Sequence, residues 1–293
     1  MLPEEANRMD RRIVSVLFCD LVGFTPLSEK LDPEEVREVQ DDYFALMSAE
    51  IARFEGTVEK YAGDAVLAIF GAPIAHEDDA ERAIRCALAM HDALVPLAEE
   101  TLATRGVNLA LRIGVNSGEV VSGLREGGGR RDYAVTGDAV NTAARYQTAS
   151  EPGGVMVGEQ TMRLARRAIL FGEKQMLTLK GKAQPVPGYP VLGVRERLAE
   201  RWELTDHTAE LIGRKDELHL LRQTWEAAAD GNGRAVEIAA EPGVGKSRLS
   251  AEFLGEISAR GLVQIIRGRC LSYSAEVSLW LVANILRSVC RLP

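Results

Sequence analysis

The chain has 293 residues, of which 46% are hydrophobic and 27% charged, with a net charge of -8. This is an ordinary soluble globular composition, with enough length for more than one core. The acidic balance excludes a general nucleic-acid or membrane-surface binder, which carries a basic footprint. It leaves nucleotide binding open, because phosphate sites depend on local donors and metals.

The four cysteines, Cys19, Cys86, Cys270 and Cys290, show no C-x-x-C spacing, and the four histidines do not cluster with them. A zinc site or a disulfide framework is not expected, and a reducing cytoplasm is the natural compartment. The N-terminus lacks the apolar core of a signal peptide, and no apolar run approaches a membrane span. A soluble cytoplasmic protein that binds neither membrane nor nucleic acid is expected.

In chain order, Ile13 to Phe18 reads as a buried strand, ending at Asp20 and turning at Gly23. Asp32, Pro33 and Glu35 form a helix start, with Asp32 as cap and Glu35 reaching back. Val36, Val39, Tyr43, Leu46 and Met47 carry that helix toward Phe54. Strands over 56–61 and 65–70 hinge at Gly63-Asp64. A long amphipathic helix is expected from Asp78 to Leu97, then strands at Leu109 to Val115 and at Val120-Val121. Arg125 to Arg131 reads as a mobile hairpin loop. A helix over 138–148, a strand at 155–157, a short helix over 161–166 and closing strands within 175–192 complete the pattern. These elements predict an α+β sheet with helices on one face. Periodicity is lost at 195–208, the expected linker between a domain over 10–194 and a second over 209–293.

Asp20 and Asp64 both fall where strands end or turn. Two carboxylates brought together by a sheet can hold a pair of hard, oxygen-seeking cations. Such a pair clamps the attacking and leaving oxygens of a displacement at phosphorus, with the ions about 3.5–4 Å apart. Asn141 and Arg145 lie four apart on one helix and so share a face. An arginine fork also suits phosphoryl charge better than a lysine point charge.

The segments FCDLVGFT, EKYAGDAVLAIFG, LRIGVNSGEVVSG and YAVTGDAVNTAAR follow one another from Phe18 to Arg145. In order and spacing they resemble the catalytic domains of class III adenylate/guanylate cyclases, and LKGKAQPVPGY resembles that family's closing strands. The resemblance implies a ferredoxin-like βαββαβ core and a homodimer with its active sites at the subunit interface. It implies two Mg²⁺ or Mn²⁺ ions per site, held by Asp20 and Asp64 with the backbone carbonyl of Leu21. Lys60 matches the purine-reading lysine, and Asn141 and Arg145 match the pair that orients the ribose and stabilises phosphate charge. The metals come from one subunit, with the lysine and the Asn/Arg pair from its partner.

Lys60 favours adenine. An ammonium only donates, and adenine N1 accepts where guanine N1 carries a proton. Ala134 departs from the family, which places an acceptor there for the adenine amino group. Its loss relaxes discrimination, unless Thr136 or a backbone carbonyl substitutes. The expected activity is conversion of ATP to 3′,5′-cyclic AMP and pyrophosphate. The alternatives are a guanylate cyclase and a catalytically idle, cyclase-like dimerisation or nucleotide-sensing domain.

After an expected strand over 235–240, the sequence EPGVGKS opens a helix, as a phosphate-binding P-loop requires. Backbone N–H groups around Gly243 and Gly245 would cradle phosphate, Lys246 would reach the β/γ-phosphates and Ser247 would ligate Mg²⁺. With LIGRKDELHLL this segment resembles the start of an AAA-type ATPase module, a partial α/β P-loop domain able to take Mg-ATP. No acidic residue qualifies as a Walker B before Pro293, so the module reads as truncated and hydrolysis by it is not expected.

Overall fold

The computed structural model describes residues 10–127, 130–178, 184–195, 211–240, 244–261 and 263–266, with single helical positions beyond. The chain divides into two compact units, residues 1–196 and 197–293.

The first unit opens with β1 (Asp10–Val22), α1 (Phe24–Lys30), α2 (Pro33–Arg53), β2 (Thr57–Ala62), β3 (Ala65–Phe70), α3 (Asp79–Arg105) and β4 (Ala110–Gly127). It continues through β5 (Arg130–Thr136), α4 (Asp138–Ala149), β6 (Val155–Gly158), α5 (Glu159–Ala165), β7 (Ile169–Phe171), β8 (Gln175–Leu177) and β9 (Val186–Val194). One nine-stranded sheet runs β2-β3-β1-β4-β6-β9-β7, with β5 paired to β4 and β8 to β9. Its first four strands are antiparallel in the order β2-β3-β1-β4. That is the ferredoxin-like βαββαβ arrangement, with β1 at the centre.

Several elements run longer than their local signals. β4 is one strand rather than two, because it pairs with β1 along its first part and with β5 along its second. The expected loop at 125–131 is correspondingly strand on both sides, with residues 128–129 outside the description. Helix α3 passes through Pro96 and ends only at Gly106, in the left-handed region with φ 63°. A proline removes one intrahelical bond. Leu97 and Thr101 stay buried beyond it, and the Thr101 hydroxyl donates to the Leu97 carbonyl at 2.7 Å. Helix α2 starts at its predicted cap, where the Glu35 carboxylate accepts from the Asp32 N–H at 3.4 Å.

Strand parity sets the layers. Val14 and Val16 of β1 pack with Ala139 and Ala143 of α4. The intervening residues face the other way. Cys19 meets the Tyr43 hydroxyl of α2 at 3.7 Å, and Ser15 joins a buried Ser117–Thr161 hydroxyl chain that reaches α5. Helices therefore cover both faces, correcting the one-faced expectation: α4 lies on one side, α2 and α5 on the other. Asp20 shares the parity of Val14 and Val16, and so faces α4.

In the second unit, α6 (Lys215–Ala229) packs on α7 (Lys246–Ala259) through Leu218, Leu221 and Leu249. A two-pronged Arg222–Glu256 pair adds to the contact, at 2.7 and 2.6 Å. Residues 235–240 have no regular structure, and Val236 and Ile238 are exposed, so the expected strand is not formed. A strand exists only through ladder partners, and no other described segment of this unit is a strand. Among the described residues, no helix is long and apolar enough to cross a membrane.

Helix α4 lies so close to β4 that a Cβ on Gly114 would collide with the Gln147 amide nitrogen and the Ala143 carbonyl. Gly114→Ala is expected to destabilise the first unit by about 2–4 kcal/mol through overpacking. Urea denaturation measures this, and a loss below about 1 kcal/mol would show that the contact yields.

Candidate active site

The two carboxylates singled out by sequence are brought to one place by the ladder. Cys19 opposes Val66 across β1 and β3, so Asp20 is level with the turn between β2 and β3 that carries Asp64. Gly63, at φ 67°, makes that turn, and the Gln40 side chain of α2 donates to its carbonyl at 2.8 Å. Gly23 ends β1 at φ 96°, where any side chain would strike the Asn108 carbonyl. The Asp20 carboxylate is thus fixed between two constrained turns. Leu21 is buried in the β1–β4 ladder opposite Leu111.

Charge at this point is out of balance. Burial raises the Asp20 pKa and the Asp64 charge raises it further, while Arg112 and the amide of Gln147 pull it back. Both carboxylates also help to hold the Tyr43 hydroxyl and the Cys19 thiol protonated, the latter with its pKa pushed up to about 12, chiefly by burial. Two carboxylates that repel and are incompletely neutralised fit a hard divalent cation. Among the described residues, no group of three or more His, Cys, Asp or Glu side chains could hold a metal. The remaining ligands would be the Leu21 carbonyl, water and substrate phosphate.

Two residues of this site were not singled out by sequence. Arg112 opposes Asp20 directly across β1 and β4, and its Nε is buried without a hydrogen-bond partner. A guanidinium with an unmet donor beside a metal pair is suited to a phosphate oxygen. Gln147 donates through Nε2 to an Asp20 oxygen at 3.1 Å. The legible signal in each case was a polar residue at a position its neighbours bury: Arg112 between Leu111 and Ile113, and Gln147 on the apolar stripe of α4.

The other predicted residues lie on β2, β5 and α4. Lys60 on β2 is exposed, with its ammonium 3.9 Å from the Glu59 carboxylate. Asn141 is exposed and Arg145 half-buried on α4, whose inward side is Ala139, Thr142, Ala143, Tyr146 and Gln147. Thr136 is exposed at the end of β5, Ala134 pairs there with Gly123 of β4, and β5 also touches β2. Among the described residues, no hydrogen bond or ion pair joins this group to Asp20 or Asp64.

In the second unit Gly245, at φ 95°, caps α7 at its N-terminus, followed by Lys246 and the exposed Ser247. The Lys246 ammonium donates to the Ala240 carbonyl at 2.9 Å, and Arg214 donates to the Val244 carbonyl at 3.1 Å. Gly243, and the LKGKA of the closing motif at 179–183, lie outside the described residues.

A family model described as "Adenylate and Guanylate cyclase catalytic domain" matches residues 6–192, and one described as "AAA ATPase domain" matches 210–292. Adenylate cyclase 1 of Rhizobium meliloti is 31% identical over 186 residues, covering 63% of this chain and 28% of that protein. The solved adenylyl cyclase CyaB from P. aeruginosa is similar with a TM-score of 0.62 at 31% identity, covering 65% of this chain and 99% of that one. The guanylyl cyclase Cya2 gives 0.61 at 35% identity, covering 65% and 96%. The chain spans about a quarter of the length of the first such curated relatives.

Asp20→Asn removes one of the two repelling charges and keeps an acceptor for Gln147. The folded chain holds the Asp20 proton more tightly than the unfolded chain does. That contribution to stability is present below the ordinary carboxylate pKa and is lost as pH rises through the raised one. At neutral pH without divalent ions the variant is expected to melt about 2–4 °C above the parent. The advantage should vanish in acid. A lower melting point at neutral pH would contradict the repulsion.

Proposed function

We propose, of a chain that belongs through residues 6–192 to the adenylate and guanylate cyclase catalytic-domain family, that it converts ATP to 3′,5′-cyclic AMP and pyrophosphate in a homodimer. The observation that carries this reading is the Asp20–Asp64 pair, which the β1–β3 register brings to one place, where burial and the Asp64 charge both raise the Asp20 pKa.

Asp20 and Asp64, with the Leu21 carbonyl, would hold two Mg²⁺ or Mn²⁺ ions, which when bound acidify the ribose 3′-hydroxyl and hold the triphosphate. The 3′-oxygen attacks the α-phosphorus, its proton passes to water and pyrophosphate leaves. Arg112 reaches the triphosphate from beside the carboxylates. Lys60 donates to adenine N1, Asn141 orients the ribose and Arg145 takes up charge developing on the phosphoryl oxygens. Thr136 supplies an acceptor near the purine in place of Ala134. Catalysis then rests on positioning and electrostatics, as in phosphoryl transfer generally.

Lys60 and Asn141 are exposed and Arg145 half-buried, while the Asp20 carboxylate sits beneath α4, which suits two half-sites completed across a twofold axis. The glycine at the α7 N-terminus and the match to the AAA ATPase family favour a regulatory role for the second unit, with Lys246, Ser247, Gly245 and Gly243 taking Mg-ATP. GTP as substrate is the second reading. It is favoured by the alanine at position 134 and by the 35% identity to the guanylyl cyclase Cya2.

Purified chain with Mg²⁺ or Mn²⁺ and either nucleotide decides the substrate. Cyclic AMP is expected to exceed cyclic GMP by about tenfold, roughly 1.4 kcal/mol of discrimination; the reverse order would establish the second reading, and no product of either kind would remove the enzyme. Asp20→Ala and Arg145→Ala are each expected to be inactive alone. Mixed equally, half the dimers carry one intact site, so about a quarter of parental activity should return. Heterodimers without activity would contradict the shared site.

A further inference from the structure

Gln147 is a polar side chain in a place where burial has a cost unless its hydrogen bonds are met. It is 7% exposed, on the inward stripe of α4. Its Nε2 donates to Asp20 at 3.1 Å, and because an ionised carboxylate only accepts, the NH2 end of the amide must face it. Its main chain is clamped as well, because Gly114 of β4 leaves no room for a side chain against the Gln147 nitrogen. The amide is therefore aimed from a helix held in close contact with the sheet at Gly114.

We propose that Gln147 is a positioning residue that orients the Asp20 carboxylate for the cation and ties that carboxylate to the helix bearing Asn141 and Arg145. The chemistry of an amide suits the task. A lysine or arginine here would neutralise Asp20 and compete with the metal, whereas a neutral donor fixes one oxygen and leaves the negative charge in place. The proposal rests on the two-half-site reading in one respect. In that dimer Asp20 serves one site while Asn141 and Arg145 of the same chain serve the other, so α4 is shared between the two.

Gln147→Met keeps the side-chain volume and removes the donor, and Gln147→Ala removes both. Both are made in the full chain with Lys246→Ala, so that Mn²⁺ taken up with nucleotide at the P-loop does not contribute. Free Mn²⁺ is followed by electron paramagnetic resonance with a non-reactive ATP analogue present. The Met variant is expected to melt near its parent and to bind Mn²⁺ about tenfold more weakly. A loss of threefold or more upholds the proposal, and a smaller one overturns it.

A second measurement places Gln147→Met on one chain of the Asp20→Ala/Arg145→Ala heterodimer. On the Arg145→Ala chain, which supplies Asp20, it should raise the Mn²⁺ midpoint for cyclic product by threefold or more. On the Asp20→Ala chain the midpoint should stay within about twofold, because no carboxylate remains there to orient. Equal shifts from both chains would overturn the proposal. Absence of any heterodimer activity strikes the shared-site reading alone, and the direct Mn²⁺ titration still decides the role of Gln147.

Discussion

The placing of two carboxylates side by side, Asp20 half-buried at the end of β1 and Asp64 on the neighbouring turn, is the constraint on which the candidate site depends. A carboxylate at the end of a central strand is half-removed from water, and a second one faces it from the adjacent turn. Arg112 and Gln147 offset part of the cost. The remainder gives the pair its use, since a site already neutralised by the protein has little to offer a cation. Stability is given up where binding needs charge, a common trade at functional sites.

Helix α4 connects this pair to the rest of the chemistry. Its inward stripe seals the β1–β4 surface and presents Gln147 to Asp20, while Asn141 and Arg145 face outward. The close approach at Gly114 makes that division of faces rigid. On the proposed reading, one helix supports the metal half-site at Asp20 and presents Asn141 and Arg145 to the nucleotide half-site of a second copy.

Much of this was legible before the structure. Asp32, Pro33 and Glu35 located the start of α2, and the Gly63-Asp64 hinge located the β2–β3 turn, because caps and turns are written in adjacent residues. The ferredoxin-like core followed from motif order. What escaped was set by long-range pairing. The Arg125–Arg131 segment has the composition of a loop, but β4 and β5 zip together through it. Helices on both faces follow from the parity of β1, which puts Cys19 toward Tyr43 and Asp20 toward Gln147, a distinction invisible without the ladder. Arg112 was hidden for the same reason: its meaning lies in its register partner, Asp20. In the second unit Gly245 and α7 stand where the sequence placed them. The preceding strand does not, since a strand depends on neighbours and a capped helix does not.

The central claim is that Asp20 and Asp64 together hold the cations of a nucleotide cyclase. Crystals grown with Mn²⁺ and a non-reactive ATP analogue address it directly through anomalous scattering. Two manganese peaks about 3.5–4 Å apart are expected, each touching oxygens of Asp20 and Asp64. Nucleotide bound with no manganese at either carboxylate would contradict it.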